Sequence, residues 1–295
     1  MITVAHISDL HALRLDGTSP LAFLSLKRLG GSANLLLKRR HKHPVRLFSA
    51  LVDELNRVGP DHVAVTGDLT NLSLDAEFAF ARAELDRLAL GPAAVSVVPG
   101  NHDVYVPSAA RRRAFESHVG PYATSDNATD GAAAFPFVRA RGGLAVIGIS
   151  TARPSPIPFA DGRAGAAQIA AVEAALRAHA DRFRLVLLHH PPVENRHAFL
   201  RGLRDREALQ AALARAGAEL VVHGHEHRDL RTAIPGPGGE IPVVGVGSGT
   251  YDDPRPERRA RFNLIRIDGK RFTIETRVHD AATGRWEPRG TIGSN

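Results

Sequence analysis

Five short apolar runs in this chain end on residue types that bind metals. Asp9 and His11 follow ITVAHIS, Asp68 follows HVAVTG, and Asn101 and His102 follow VSVVPG. His189 and His190 follow RLVLL, and His225 and His227 follow ELVVHG. Their length and β-branched content mark the runs as buried strands. In α/β sheets, sites are built from loops at the carboxyl ends of strands. Five strands delivering oxygen and imidazole donors to one edge supply enough ligands for two metal ions. That points to metal-assisted hydrolysis, and first to phosphoester chemistry.

Composition agrees. The 295 residues are 43% hydrophobic and 23% charged, ordinary for a globular protein. There is no cysteine, which excludes disulfides and thiolate metal sites. The start, MITVAHISDL, has no basic stretch, long apolar core or cleavage site of a leader. No run approaches the roughly eighteen apolar residues that a membrane-spanning helix needs. Cytoplasmic residence is the expectation.

The spacing predicts alternating strands and helices. Strands are expected at 2–8, 62–66, 94–98, 144–149, 184–188 and 219–223. Helices are expected at 44–58, 74–90, about 108–118, 166–180 and 203–216. The first carries Leu47, Leu51, Leu55 and Val58 on one face, with Pro44 at its start. From about residue 228 the chain turns to alternating strand-like runs with no helical stretch. The pattern implies one α/β domain over 1–295. It would comprise a mainly parallel βαβ half, then an antiparallel half that closes a second sheet.

Each ligand motif has an ordinary alternative. Asp9 and His11, two apart at a strand end, point to the same side, yet one such pair is a weak signal. Gly67-Asp68 equally reads as a turn with a helix cap. In Gly100-Asn101-His102-Asp103 the glycine permits close backbone approach, and Asn101, a neutral oxygen ligand, sits beside a candidate acid. Gly224-His225-Glu226-His227 also suits a solvated loop. All five in this order, each after a strand, make coincidence a poor explanation.

The series Asp9-x-His11, Gly67-Asp68, Gly100-Asn101-His102-Asp103, His189-His190-Pro191 and Gly224-His225-x-His227 resembles the calcineurin-like metallophosphoesterases. The resemblance is nearest to their bacterial branch of cyclic-nucleotide and glycerophosphodiester phosphodiesterases. It implies a four-layer αββα sandwich of two mixed β-sheets flanked by helices. It also implies a dinuclear centre in which Asp9, His11, Asp68 and His227 hold one ion. Asp68, Asn101, His189 and His225 would hold the other, with Asp68 bridging. His102 would bind phosphate and protonate the leaving oxygen. Asp103 would support a neighbouring imidazole or cap a helix. Side chains alternate along a strand, so only one of His189 and His190 faces the ions; the resemblance favours His189, with His190 packing behind it. The donor set suits Mn, Fe, Zn or Co. The other histidines, His43 and His223 among them, lack ligand-like pairing and are expected at the surface or one layer behind the ligands.

The net charge of +7 is local. Between Gly17 and Val52 stand Lys27, Arg28, Lys38, Arg39, Arg40, Lys42 and Arg46, with no acidic residue. The other 31 basic residues match the 31 acidic ones. The insert at about 17–46 reads either as a basic loop-helix packed on the domain or as an amphipathic lid. As a lid, its Lys38, Arg39, Arg40 and Lys42 would engage an anionic membrane or a lipid-bearing substrate. Nucleic acid is disfavoured, because no aromatics are interleaved with the cations. The insert brings in a competing substrate, since UDP-2,3-diacylglucosamine hydrolases of the same superfamily carry hydrophobic basic helices near the site. One branch of those has Arg where this chain has His102, and another keeps the His. The leading expectation is a phosphodiesterase acting on a small phosphodiester. The alternatives are a lipid-linked pyrophosphate hydrolase and a non-catalytic scaffold.

Overall fold

The computed structural model describes residues 1–19, 23, 28, 42–128, 135–194 and 198–293. Lys38, Arg39 and Arg40, expected to engage an anionic surface, lie outside the described residues with most of the basic segment.

The chain begins with β1 (Ile2–Ile7), which pairs in parallel with β2 (His62–Val65), itself parallel to β3 (Val95–Val97). A second sheet has the order β4-β5-β6-β7-β9-β8, from β4 (Phe137–Arg141), β5 (Leu144–Gly148), β6 (Phe183–Leu187), β7 (Leu220–His223), β8 (Leu230–Gly236) and β9 (Gly239–Gly245). In it β5, β6, β7 and β9 run parallel, while β4 and β8 are antiparallel edges. The last strands are β10 (Arg261–Asp268), β11 (Arg271–His279) and β12 (Trp286–Gly293).

These last three correct an expectation. They do not close a second sheet; they extend the first, in the order β12-β11-β10-β1-β2-β3. β1 is buried on both faces through Val4, Ala5 and Ile7, so its free edge needs a partner strand. β10 supplies one antiparallel, placing Leu264 opposite Ala5 and Ile267 opposite Ile2. Of the tail, only the β8–β9 hairpin goes to the second sheet.

The helices are α1 (Val45–Val58), α2 (Asp75–Asp86), α3 (Pro107–Arg111), α4 (Ala114–Val119), α5 (Ala166–Ala178), α6 (Ala198–Arg201) and α7 (Arg206–Ala216). α1 buries Leu47, Phe48, Leu51, Val52 and Leu55, and Gly59 ends it in a left-handed conformation at φ 61°. Each such side chain contributes roughly 1.5–3 kcal/mol when fully buried. The single helix expected at 108–118 is two, broken where Arg113 takes φ 50°. The break lets Ala109 on one piece and Phe115 and Val119 on the other all be buried.

The core has two parts. Between the sheets, and under α1 and α2, residues from β1, β2, β3, β6, β7 and β10 form one cluster. The outward face of the second sheet packs Ile147, Val186, Val221 and Val243 against Ile169, Val172 and Leu176 of α5 and Leu209 and Leu213 of α7. The layers are therefore helix, sheet, sheet, helix. No helix among the described residues is long and apolar enough to cross a membrane.

Candidate metal centre

The carboxyl ends of β1, β2 and β3 lie along one edge of the first sheet, and those of β6 and β7 along one edge of the second. Backbone bonds stitch the loops of each edge together. Asp9 N donates to the Gly67 carbonyl at 2.9 Å, His11 N to the Asp68 carbonyl at 2.9 Å and Gly224 N to the His189 carbonyl at 3.2 Å. Other bonds join the two edges: His225 N donates to Asp9 Oδ2 at 3.1 Å, and His189 Nδ1 to the Thr66 carbonyl at 2.7 Å.

Of the non-glycine residues with positive φ among the described residues, five are Asp9, His11, Asp68, His225 and His227. Such φ values cost free energy for side chains other than glycine and persist where the surroundings over-determine them. The neighbouring glycines have a steric reason. A Cβ on Gly100 would overlap Asp68 Oδ1, and one on Gly224 would overlap Ser8 Oγ.

These loops gather two knots of donor atoms. In the first, His11 Nε2 is 3.0 Å from His227 Nε2, and His227 Nε2 is 3.2 Å from Asp9 Oδ1. In the second, Asn101 Oδ1 is 3.2 Å from His189 Nε2 and 3.1 Å from His225 Nδ1, and those nitrogens are 3.2 Å apart. Asp68 Oδ2 lies between the knots, 3.8 Å from His11 Nε2 and 3.5 Å from His189 Nε2. Donors about 2.1 Å from a common ion sit roughly 3.0–3.5 Å from one another, as those within each knot do. Imidazole nitrogens facing each other and carboxylates share one chemical purpose, lone pairs directed at a cation. The residues present fit two divalent ions.

Burial and charge prepare the site. Asp9, His11, Asp68, Asn101 and His189 are buried, whereas His102 and His227 are partly open. Burial opposes ionisation of Asp9 and Asp68. His227 beside the first, and His189 and His102 beside the second, outweigh it and hold both carboxyls below the usual range, Asp68 well below. Burial likewise disfavours a charged His189, but Asp68 overrides it and lifts the imidazole to about 9.

His102 stands at the rim. Its backbone N–H donates to Asp68 Oδ1 at 2.7 Å, and its Nδ1 is 2.7 Å from the Asn71 carbonyl. Its ring stacks on Tyr105 at 5.3 Å and meets His11 edge-on at 5.0 Å. His189 puts Nε2 in the second knot; His190, with its ring centre 4.6 Å from that of His225, has Nδ1 2.8 Å from Thr151 Oγ1 and Nε2 3.3 Å from the Ala160 carbonyl. Burial, with His189 alongside, drives His190 down to about 3.

Asp103 departs from both expectations. It neither supports an imidazole nor caps a helix in solvent. Oδ1 accepts from Thr70 N and Thr70 Oγ1, and Oδ2 from Leu69 N and Gly100 N. It braces the loop that follows Asp68, because that loop's amides have no strand partner there. Burial and the neighbouring Asp68 charge push its carboxyl up to about 7 against those donors.

The basic segment touches this region at its exit. Lys42 is exposed, with Nζ 5.6 Å from the Tyr251 ring centre. Arg28 is buried and donates to the Leu72 and Ser73 carbonyls. His43, which showed no ligand-like pairing in the sequence, is buried against His11 and His227, with ring centres 4.7 and 5.8 Å away. Its setting in the cationic run Arg40-His41-Lys42-His43 gives no local signal of this position. Its partners lie more than 200 residues away, in Ser248 and Thr250.

Residues 2–229 match the sequence pattern of the family described as calcineurin-like phosphoesterase. No curated protein matches the chain. Among solved structures, a purple acid phosphatase, PPD1, from yellow lupin (Lupinus luteus) seeds superposes with a TM-score of 0.61 at 13% identity. That match covers 99% of this chain and 53% of the lupin chain, so this protein spans about half of that relative's length. A structure of PhoD gives a TM-score of 0.61 at 10% identity, covering 99% of this chain and 69% of the other. At such identities the superpositions speak for the fold alone. The sequence match over 2–229, together with two sheets that converge on paired donor knots, makes this chain a member of the calcineurin-like phosphoesterase family.

Proposed function

We propose that the protein is a dinuclear metal-dependent hydrolase of phosphodiesters. The observation that carries this reading is Asp68 Oδ2, placed 3.8 Å from His11 Nε2 and 3.5 Å from His189 Nε2, between two otherwise separate donor sets. Asp9, His11, Asp68 and His227 would hold one ion, and Asp68, Asn101, His189 and His225 the other. Mn, Fe or Zn suits the mixed nitrogen and oxygen donors. Two divalent ions bound there supply a water activated near neutral pH and neutralise charge on the phosphoryl group.

The chain's own residues do the rest. Asp9 and Asp68 remain ionised and balance the cations. His189 is oriented by the Thr66 carbonyl, which fixes the nitrogen it presents. His102 is the catalytic acid of this reading. With Nδ1 donating to the Asn71 carbonyl, proton transfer runs through Nε2 to the leaving oxygen. Tyr105, stacked on the ring, sets its plane.

The test is a hydrolysis panel on Mn-loaded protein with bis-p-nitrophenyl phosphate, 3′,5′-cAMP, glycerophosphocholine and UDP-diacylglucosamine. Turnover of the first with at least one of the next two supports the proposal. Turnover of UDP-diacylglucosamine alone would move the substrate to a lipid-linked pyrophosphate at an anionic surface. No turnover by protein that binds two ions would leave a scaffold.

A further inference from the structure

His43 carries more than its sequence context implies. It ends the basic segment, is 4% exposed, and has a ring nitrogen within 4.8 Å of nitrogens of both His11 and His227. Its Nδ1 lies 3.0 Å from Thr250 Oγ1 and 3.4 Å from Ser248 Oγ. Both hydroxyls already donate: Thr250 to the Leu10 carbonyl at 2.7 Å, Ser248 to the Asp9 carbonyl at 2.6 Å. A hydroxyl has one proton, so each can only accept from His43. Nδ1 therefore carries the hydrogen, and in the neutral ring Nε2 is the nitrogen with the lone pair. A ring nitrogen donating to a fixed acceptor while the other offers a lone pair is the arrangement of a metal-ligating histidine.

The position is also held from outside. Asp252 N donates to the Lys42 carbonyl at 2.7 Å, and Arg46 pairs with Asp252 at 2.6 Å. These bonds fasten Lys42 and Arg46, on either side of His43, to the loop that carries Thr250. The same hydroxyls tie down the carbonyls of Asp9 and Leu10, in the strained loop that presents Asp9 and His11.

We propose that His43 is a further protein ligand of the ion held by Asp9, His11 and His227, which links the exit of the basic segment to the metal centre. The proposal rests on the dinuclear reading above. Donors on opposite sides of one ion are about 4.2 Å apart at a bond length near 2.1 Å, and here one ring nitrogen from each of His11, His43 and His227 lies within 4.8 Å of the others.

The experiment measures metal, not turnover. Wild type, His43→Ala, His43→Gln and Thr250→Val are loaded with Mn or Co, dialysed, and assayed by elemental analysis, competition titration and Co(II) absorption. The expected result is two ions in wild type. Both His43 variants should keep one ion at wild-type affinity and bind the other at least about tenfold more weakly, with an altered Co(II) spectrum. Thr250→Val should show the same change to a smaller degree, since it removes only the nearer of the two hydroxyl partners of Nδ1. Metal should also slow hydrogen exchange at residues 42–46 in wild type, a readout that needs no variant to fold. Folded His43 variants that bind both ions as wild type does, or an exchange rate that metal leaves unchanged, overturn the proposal. Weaker inhibition by inorganic phosphate with unchanged metal binding would also overturn it, by placing His43 on the substrate. Failure of wild type to bind two ions would instead overturn the dinuclear reading itself.

Discussion

The carboxylate of Asp68 accepts the backbone N–H of His102 at 2.7 Å through Oδ1, while Oδ2 faces His11 and His189. One side chain thus couples the proposed acid to both proposed metal sites. Asp68→Asn keeps the shape but halves the charge-bearing oxygens. It should reduce bound metal from two ions to one or fewer and lower turnover of bis-p-nitrophenyl phosphate by about 10²-fold or more, an effect of several kcal/mol at the transition state. Elemental analysis alongside steady-state kinetics checks this; two tightly bound ions in the variant would contradict a bridging role.

His102→Ala tests the acid separately from the metals. Metal content should match wild type. Turnover of substrates with poor leaving groups should fall by about 10²-fold or more, and that of p-nitrophenyl esters by less, since p-nitrophenolate departs with little protonation. Equal losses on both kinds of substrate would mean that the imidazole positions phosphate and transfers no proton.

Asp103 should matter for the loop, not for the chemistry. Its removal leaves the amides of Leu69, Thr70 and Gly100 without their acceptor in a buried place. Asp103→Ala should cost roughly 2–4 kcal/mol of stability by urea denaturation. It should also weaken metal binding through Asp68. A variant as stable as wild type would show that water replaces the carboxylate there.

Acid should destabilise the fold through buried imidazoles outside the proposed ligand set. Burial, with Arg139 and Arg141 nearby, lowers His62 to about 3, and its Nε2 is 2.9 Å from Ser96 Oγ. The folded state keeps it neutral while the unfolded chain takes up a proton below its ordinary pKa near 6.5. The stability is therefore complete above that pH and declines as pH falls toward 3, by up to about 1.4 kcal/mol per unit. Burial puts His6 at about 3 and His223 at about 4, adding in the same sense. Urea melts at pH 6.5, 5.5 and 4.5 should show a shallower slope for His62→Gln than for wild type. Parallel slopes would mean His62 is protonated in the folded protein.

Most of the strands, their order along the chain and the cluster of Asp, Asn and His at their carboxyl ends were legible in the sequence, because alternation and apolar length are local properties. The apolar face of α1 was legible for the same reason. Other features were not, β4 and the break at Arg113 among them. The tail joined the first sheet because β1 had an open, doubly buried edge, a fact about strands 250 residues apart. Asp103 takes amides instead of an imidazole because the loop after Asp68 folds over it. His43 meets His11 only because Thr250 and Asp252 anchor the end of a distant basic segment. Periodicity sets what each segment is and which residue types stand at its end. Which of those side chains meet is set by sheet register and by hydrogen bonds between segments remote in sequence, and those exist only once the layers have packed.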